Sequence, residues 1–156
     1  MSGVFTAIIP DTAVSAAVDL MEIVGHATKP FVILELHLHQ TTEVGEAQEE
    51  QLLIALKSGQ TTSGSGGNAA TNANPTDTAG GTSGFTFKTL NTTKASAGTI
   101  VTHKTWAWQV RGPFDVIDTE LSQCIMSAAR RCTLELVNAP GDSITIGGYA
   151  VIQEIG

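Results

Sequence analysis

Val32-Ile33-Leu34-Glu35-Leu36-His37-Leu38-His39-Gln40-Thr41 is the stretch that decides the fold. Val32, Leu34, Leu36 and Leu38 fall on one side of an extended chain, and Glu35, His37, His39 and Thr41 on the other. Successive side chains of a strand point to opposite faces, so this alternation predicts a strand with one buried and one polar side. Gly98 to Arg111 behaves the same way. Ile100, Trp106, Trp108 and Val110 share one face, and His103, Thr105, Gln109 and Arg111 the other.

Further β-rich runs lie on either side: Gly3–Ile9, Val18–Val24, Gln51–Lys57, Phe85–Leu90, Phe114–Ile117, Cys132–Val137, Asp142–Ile146 and Tyr149–Ile155. Turn signals divide them at Pro10-Asp11, Lys29-Pro30, Ser58-Gly59, Gly112-Pro113, Pro140-Gly141-Asp142 and Gly147-Gly148. Many short strands joined by Gly/Pro turns predict an all-β domain, a β-sandwich or jelly roll. The 156 residues fit one domain, 1–156, long enough to bury its own core. Glu46–Lys57 is rich in helix formers, and we expect a helical turn at 46–50 followed by a strand with Leu52, Ile54 and Leu56 inward. Ser122–Arg131 has the length of a short helix but a poor amphipathic pattern.

Residues 59–84 carry Gly, Ser, Thr, Asn and Ala with no large apolar side chain, so they cannot form a core of their own. They read as a solvated excursion between strands or as an extended arm lying on a neighbouring subunit.

Charged residues make up 15% of the chain against a usual figure of about 25%, and the net charge is −7. The eight Lys and Arg are scattered, with Arg130-Arg131 the only adjacent pair, which argues against a phosphate-gripping nucleic-acid binder. The start lacks the basic and apolar regions of a secretory signal, and no apolar run reaches the roughly 20 residues needed to span a bilayer. A reducing cytoplasm is therefore expected, with Cys124 and Cys132 as free, buried thiols. Asn91-Thr92-Thr93 matches a glycosylation acceptor that such a location leaves unused.

His37-Leu38-His39 is the sharpest chemical signal, because two His two apart on a strand project to one side, as a metal site needs. With Glu43 they give His-x-His-x-x-x-Glu, similar to part of the first cupin metal motif. The flanking glycines and the second motif around His103 are missing, so the expectation is no metal, with His37, His39 and Glu43 as the candidates should one bind. Trp106 and Trp108 at period two read as core rather than as a sugar-stacking platform. There is no Gly-x-Ser-x-Gly elbow, and neither Cys has a His nearby in sequence. Gly64-Ser65-Gly66-Gly67 lacks the Gly-Lys-Ser/Thr ending of a phosphate loop, and Asp115, Asp118 and Glu120 lack the spacing of a calcium loop. No catalytic residue and no cofactor are expected.

Leu34 to Gly67 resembles small proteins of tailed-phage structural gene clusters, above all in Glu43-Val44-Gly45-Glu46-Ala47-Gln48-Glu49-Glu50-Gln51-Leu52. Asn91-Thr92-Thr93, Trp108, Ala139-Pro140-Gly141-Asp142-Ser143 and Gln153-Glu154-Ile155-Gly156 extend the likeness over most of the chain. The resemblance implies a capsid decoration (cement) protein: a β-rich, non-enzymatic homo-oligomer, commonly a trimer. Such a protein is assembled in the host cytoplasm and sits on the outside of the virion, where it bridges capsomers of the major capsid protein. Two other readings stand beside it: a carbohydrate- or receptor-binding β-module of a phage tail or fibre, and a cupin-like metalloprotein.

Overall fold

The computed structural model describes residues 3–42 and 50–156. Twelve strands run in order: β1 Gly3–Val14, β2 Asp19–Val24, β3 Phe31–Gln40, β4 Gln51–Ser58, β5 Thr71–Asn72, β6 Asn74–Pro75, β7 Thr86–Asn91, β8 Val101–Gln109, β9 Phe114–Ile117, β10 Ile125–Met126, β11 Arg131–Leu136 and β12 Ile144–Glu154. No helix occurs among the described residues. The helical turn expected at 46–50 falls, except for Glu50, outside them. Ser122–Arg131 forms turns around the short β10.

The strands make two antiparallel sheets packed as a β-sandwich. The first has the order β10-β3-β12-β1-β6, with β9 also on the outer edge of β3, and the second has the order β5-β7-β2-β11-β4-β8. The pairings show how the chain is wound. β4 pairs β8, β3 pairs β9, β2 pairs β11 and β1 pairs β12, all antiparallel. This is one long hairpin rolled up on itself, the jelly-roll arrangement. Contacts of β12 with β3 and of β11 with β4 close the roll. Residues 59–100 are an insertion at the tip of that hairpin, and they add β7 beside β2.

The core lies between the sheets, where Leu20, Leu38, Leu52, Ile54, Leu56, Leu136, Ile144, Ile146, Ala150 and Ile152 are almost fully buried. Leu52, Ile54 and Leu56 point inward as their spacing requires. Two bulges shift faces in a way that strict alternation misses. On β3, Ile33 pairs Ile152 and Glu35 pairs Val151, so Leu34 is the extra residue. Inward positions pass from Leu36 and Leu38 to Ile33 and Phe31, leaving Leu34 half-buried. On β8 the bulge falls at His103, which turns Ile100 away from the face of Trp106 and Trp108 and leaves it 44% exposed.

Two signals read as turns lie inside strands. Pro10-Asp11 is a bulge within β1, opposite Gly147 of β12, and Gly147-Gly148 continues β12 rather than ending it. Glycine and proline inside a strand mark bulges and close approaches as well as turns.

Candidate functional site

Residues 59–84 do not leave the body of the domain. They fold back over the outer face of the second sheet and across the open edge of the first, held by buried carboxylates. Glu22, in the middle of β2, is fully buried. Its Oε1 accepts from Ser63 Oγ at 2.9 Å and lies 2.7 Å from Arg131 Nε. Its Oε2 accepts from Gly64 N at 2.9 Å and Asn91 Nδ2 at 2.7 Å. The glycine-rich stretch thus does cradle an anion, but the anion is the chain's own carboxylate. Asn91, the residue of the glycosylation match, is spent inside this network and fully buried.

Further ties follow along the loop. Gln60 Nε2 donates to Thr133 Oγ1 at 2.8 Å, and Thr62 and Ser65 pair with Ser96 and Thr93 of the neighbouring loop. Thr71-Asn72 joins β7, Ser83 Oγ accepts from Ala73 N at 2.8 Å, and Asn74-Pro75 pairs with Phe5-Thr6 of β1. Glu154 takes Phe85 N at 3.0 Å and Lys29 Nζ at 3.3 Å. The second loop is anchored in the same manner. Asp19 Oδ2 accepts from Ala95 N at 2.7 Å, while Glu135 is bridged by Lys57 at 2.5 Å and Lys94 at 2.6 Å.

Burial pushes the Asp19 carboxyl up to about 6, against the pull of the Ala95 N–H. Burial also pushes on Glu135, but the hydrogen bonds and charges of Lys57 and Lys94 outweigh it and hold that carboxyl below its ordinary value.

The two histidines of β3 share the outer face of the first sheet, with ring centroids 5.8 Å apart. Each has its own carboxylate. His37 Nδ1 contacts Asp115 Oδ1 of β9, and His39 Nε2 lies 2.7 Å from Asp11 Oδ1 of β1. Tyr149 of β12 stacks on His37 at 5.1 Å. The Asp11–His39 contact crosses over β12 at Gly147, where an added Cβ would stand 1.7 Å from Asp11 Oδ1. Glycine is there because two side chains meet in the space its own would fill. Glu43, the third candidate ligand, lies outside the described residues. Among the described residues no group of three or more His, Cys, Asp or Glu is placed to hold a metal ion.

The remaining sequence candidates separate. Trp108 is 2% exposed and donates Nε1–H to Gly112 O at 2.7 Å, and its ring packs near Phe114. Trp106 is half-buried, edge-on to Phe114. The pair is therefore not a flat platform for sugar rings. Cys132 is buried and Cys124 half-buried, both as free thiols whose ionisation burial opposes. Asp118 pairs with Lys104 at 2.6 Å, whereas Asp115 contacts His37.

The exposed apolar side chains carry no pattern that sequence reasoning could have found. Ile117 is 75% exposed, Leu121 fully exposed and Ile125 65% exposed, all around the β9–β10 connection. Surface hollows among the described residues include one of about 540 Å³ over Lys29 and Glu154, one of about 320 Å³ between Thr12–Val18 and Gly66–Asn68, and one of about 300 Å³ beside Ile8 and Phe87. Comparison with protein-family models, with curated proteins and with solved structures gave no match to this chain.

Proposed function

We propose that the chain is a structural decoration protein of a tailed-phage head. On this reading it binds the outer capsid surface as a homo-oligomer, a trimer in the commonest symmetry for such a site, and bridges capsomers of the major capsid protein. The observation that carries this reading is the combination of a jelly-roll body, its long insertion strapped to itself by buried carboxylates, with large apolar side chains left exposed at one edge. A body of that kind offers surfaces to other proteins. Its polar groups with the most partners, Glu22 and Glu135, are spent on internal ties. Anything that binds only the assembled shell stabilises it by mass action, so no chemistry is required of the bound subunit. The likeness of Leu34 to Gly67 to proteins of phage structural gene clusters supports the same reading.

The test is co-sedimentation of the purified chain with expanded tailed-phage heads, followed by heating of the decorated heads. Saturable binding at a fixed number of copies per capsomer, with DNA retained to a higher temperature, is the expected result. Heads that bind no chain and gain no stability would overturn the proposal.

A further inference from the structure

We infer that the hollow over Lys29 and Glu154 is a binding site for a neutral sugar ring. This is a binding function beyond the decoration role and independent of it.

A carboxylate in an apolar position points to the site. Along β12, Ile144, Ile146, Ala150 and Ile152 are buried in the core, and the same alternation makes Glu154 the next inward position. Its partners across the sheet are Gly3 and Phe31. The pattern calls for an apolar side chain there, yet the residue is acidic and 2% exposed. A buried charge needs partners. Glu22 has four and is closed over by its loop, whereas Glu154 has two among the described residues, Phe85 N at 3.0 Å and Lys29 Nζ at 3.3 Å. The second of these holds the Lys29 ammonium in place beside the hollow, with its side chain 32% exposed. An ammonium has three donors, and Glu154 takes one, so the others face a ligand ready-placed.

The rest of the hollow is a mixed surface. Val4, Phe5 and Pro75 line it with carbon, and Thr76, Asp77 and Thr82 with oxygen. Its polar rim is a fixed turn, because Asp77 Oδ1 accepts from Ala79 N at 3.0 Å and Asp77 O from Gly80 N at 2.9 Å. Glycines keep the wall low: a Cβ added at Gly81 would meet nothing within 4 Å. The volume of about 540 Å³ falls in the range of small-molecule sites, roughly 300–1,000 Å³.

These groups match one ligand chemistry. A sugar ring has a C–H face for the Phe5 and Pro75 side and a rim of hydroxyls, each able to donate and accept. Lys29 supplies donors, Asp77 an acceptor and Thr82 either. Charge selects a neutral ring. Glu154 offsets Lys29, and Asp77 leaves one negative charge in excess, which disfavours phosphate, sulfate or carboxylate groups on the ligand. A cationic ligand would meet the Lys29 ammonium first.

The test is an NMR titration of the full chain with glucose, galactose, mannose and N-acetylglucosamine, read at the amides of Gly80, Gly81, Thr82 and Gly84. At least one sugar is expected to shift these amides saturably, with a Kd of about 1–10 mM for a single ring on an open site. Gly81→Phe puts a ring into open space in the hollow. It should weaken binding about tenfold or more with the melting temperature close to wild type. Should that variant melt early, Thr82→Val keeps the shape, removes one hydroxyl, and should weaken binding about three- to tenfold. Glucose carrying a phosphate is expected to bind no tighter than glucose. No saturable shift with any of the four sugars, shifts confined to other surfaces, or binding that the folded variant leaves unchanged would each overturn the inference. Phosphorylated glucose binding about tenfold tighter would overturn the neutral class. Head binding is a separate readout, so failure of either proposal leaves the other standing.

Discussion

Replacing Glu22 with Ala is the most informative single change to this molecule. The carboxylate has no exposure and gathers Ser63 Oγ, Gly64 N, Asn91 Nδ2 and Arg131 Nε on its two oxygens, at 2.7–2.9 Å. Removing one partner of a buried ion pair costs about 3–5 kcal/mol, because the other charge stays behind uncompensated. Each neutral donor left unpaired under the loop adds about 1–3 kcal/mol where water cannot reach it. The loop can lift to wet some of these groups, which limits the sum, so the expected loss is about 3–5 kcal/mol. That is a large part of the roughly 5–15 kcal/mol a domain commonly has. Glu22→Gln keeps one acceptor but sets an amide N–H against donors, and should fall between wild type and Glu22→Ala. Urea unfolding gives the energy, and limited proteolysis shows whether cuts appear within 59–84. A loss under about 1 kcal/mol with the loop still protected would refute the claim that this carboxylate straps the insertion to the body.

Other outcomes follow from the same structure. Trp108→Ala should cost about 3–5 kcal/mol in urea or thermal melts, and Trp106→Ala clearly less, since only Trp108 is fully buried and hydrogen-bonded. Asp19 binds its proton below about pH 6 when folded but only below about 3.8 when unfolded, so the folded state holds the extra proton between those values. Its contribution therefore makes the protein more stable as pH falls from 7 towards 4, by about 1–3 kcal/mol, and Asp19→Asn should flatten that part of the stability–pH curve. Glu135 acts oppositely. Its carboxyl is held below the ordinary value of 4.5, so its stabilisation is present above that pH and lost on further acidification, and Glu135→Gln should remove that loss. Gly147→Ala should cost about 1–3 kcal/mol by forcing Asp11 and His39 apart, and NMR should show the His39 ring signals moving more than those of His37.

The strands were legible because a sheet with one wet face leaves a period of two in the sequence, as in Leu36–Leu38 and Leu52–Leu56. What misled was chemistry that serves two purposes. Pro10-Asp11 and Gly147-Gly148 look like turns, yet they face each other in the middle of a long strand pair, where the same residues make a bulge and a crossing point. Leu34 and Ile100 left their expected faces because each lies at or beyond an inserted residue, which no local pattern announces. The polarity of 59–84 was legible but its position was not. Its anchors Glu22 and Phe5 are distant in sequence, and nothing in a Gly/Ser/Thr tract names the carboxylate it will wrap. Likewise His37 and His39 were correctly placed on one polar face, but their partners come from 78 and 28 residues away. The apolar knob at Leu121 was missed because an isolated leucine in a polar segment carries no periodic signal.

The place of β12 carries a consequence for how the chain comes into being. Of the twelve described strands, β12 is made after all the others yet sits between β1 and β3, so the first sheet has no centre until residue 154 is available. While the ribosome is still working, β1 and β3 wait with bare edges and with Ile9, Leu36 and Leu38 facing nothing. Pairings between the two ends of a chain are slow to form, and unpaired edges are where nascent chains aggregate. A chain stalled before Ile144 should therefore be held by chaperones or lost to aggregation, and release of the whole of Ile144–Glu154 should convert it to protease-resistant protein in a single step.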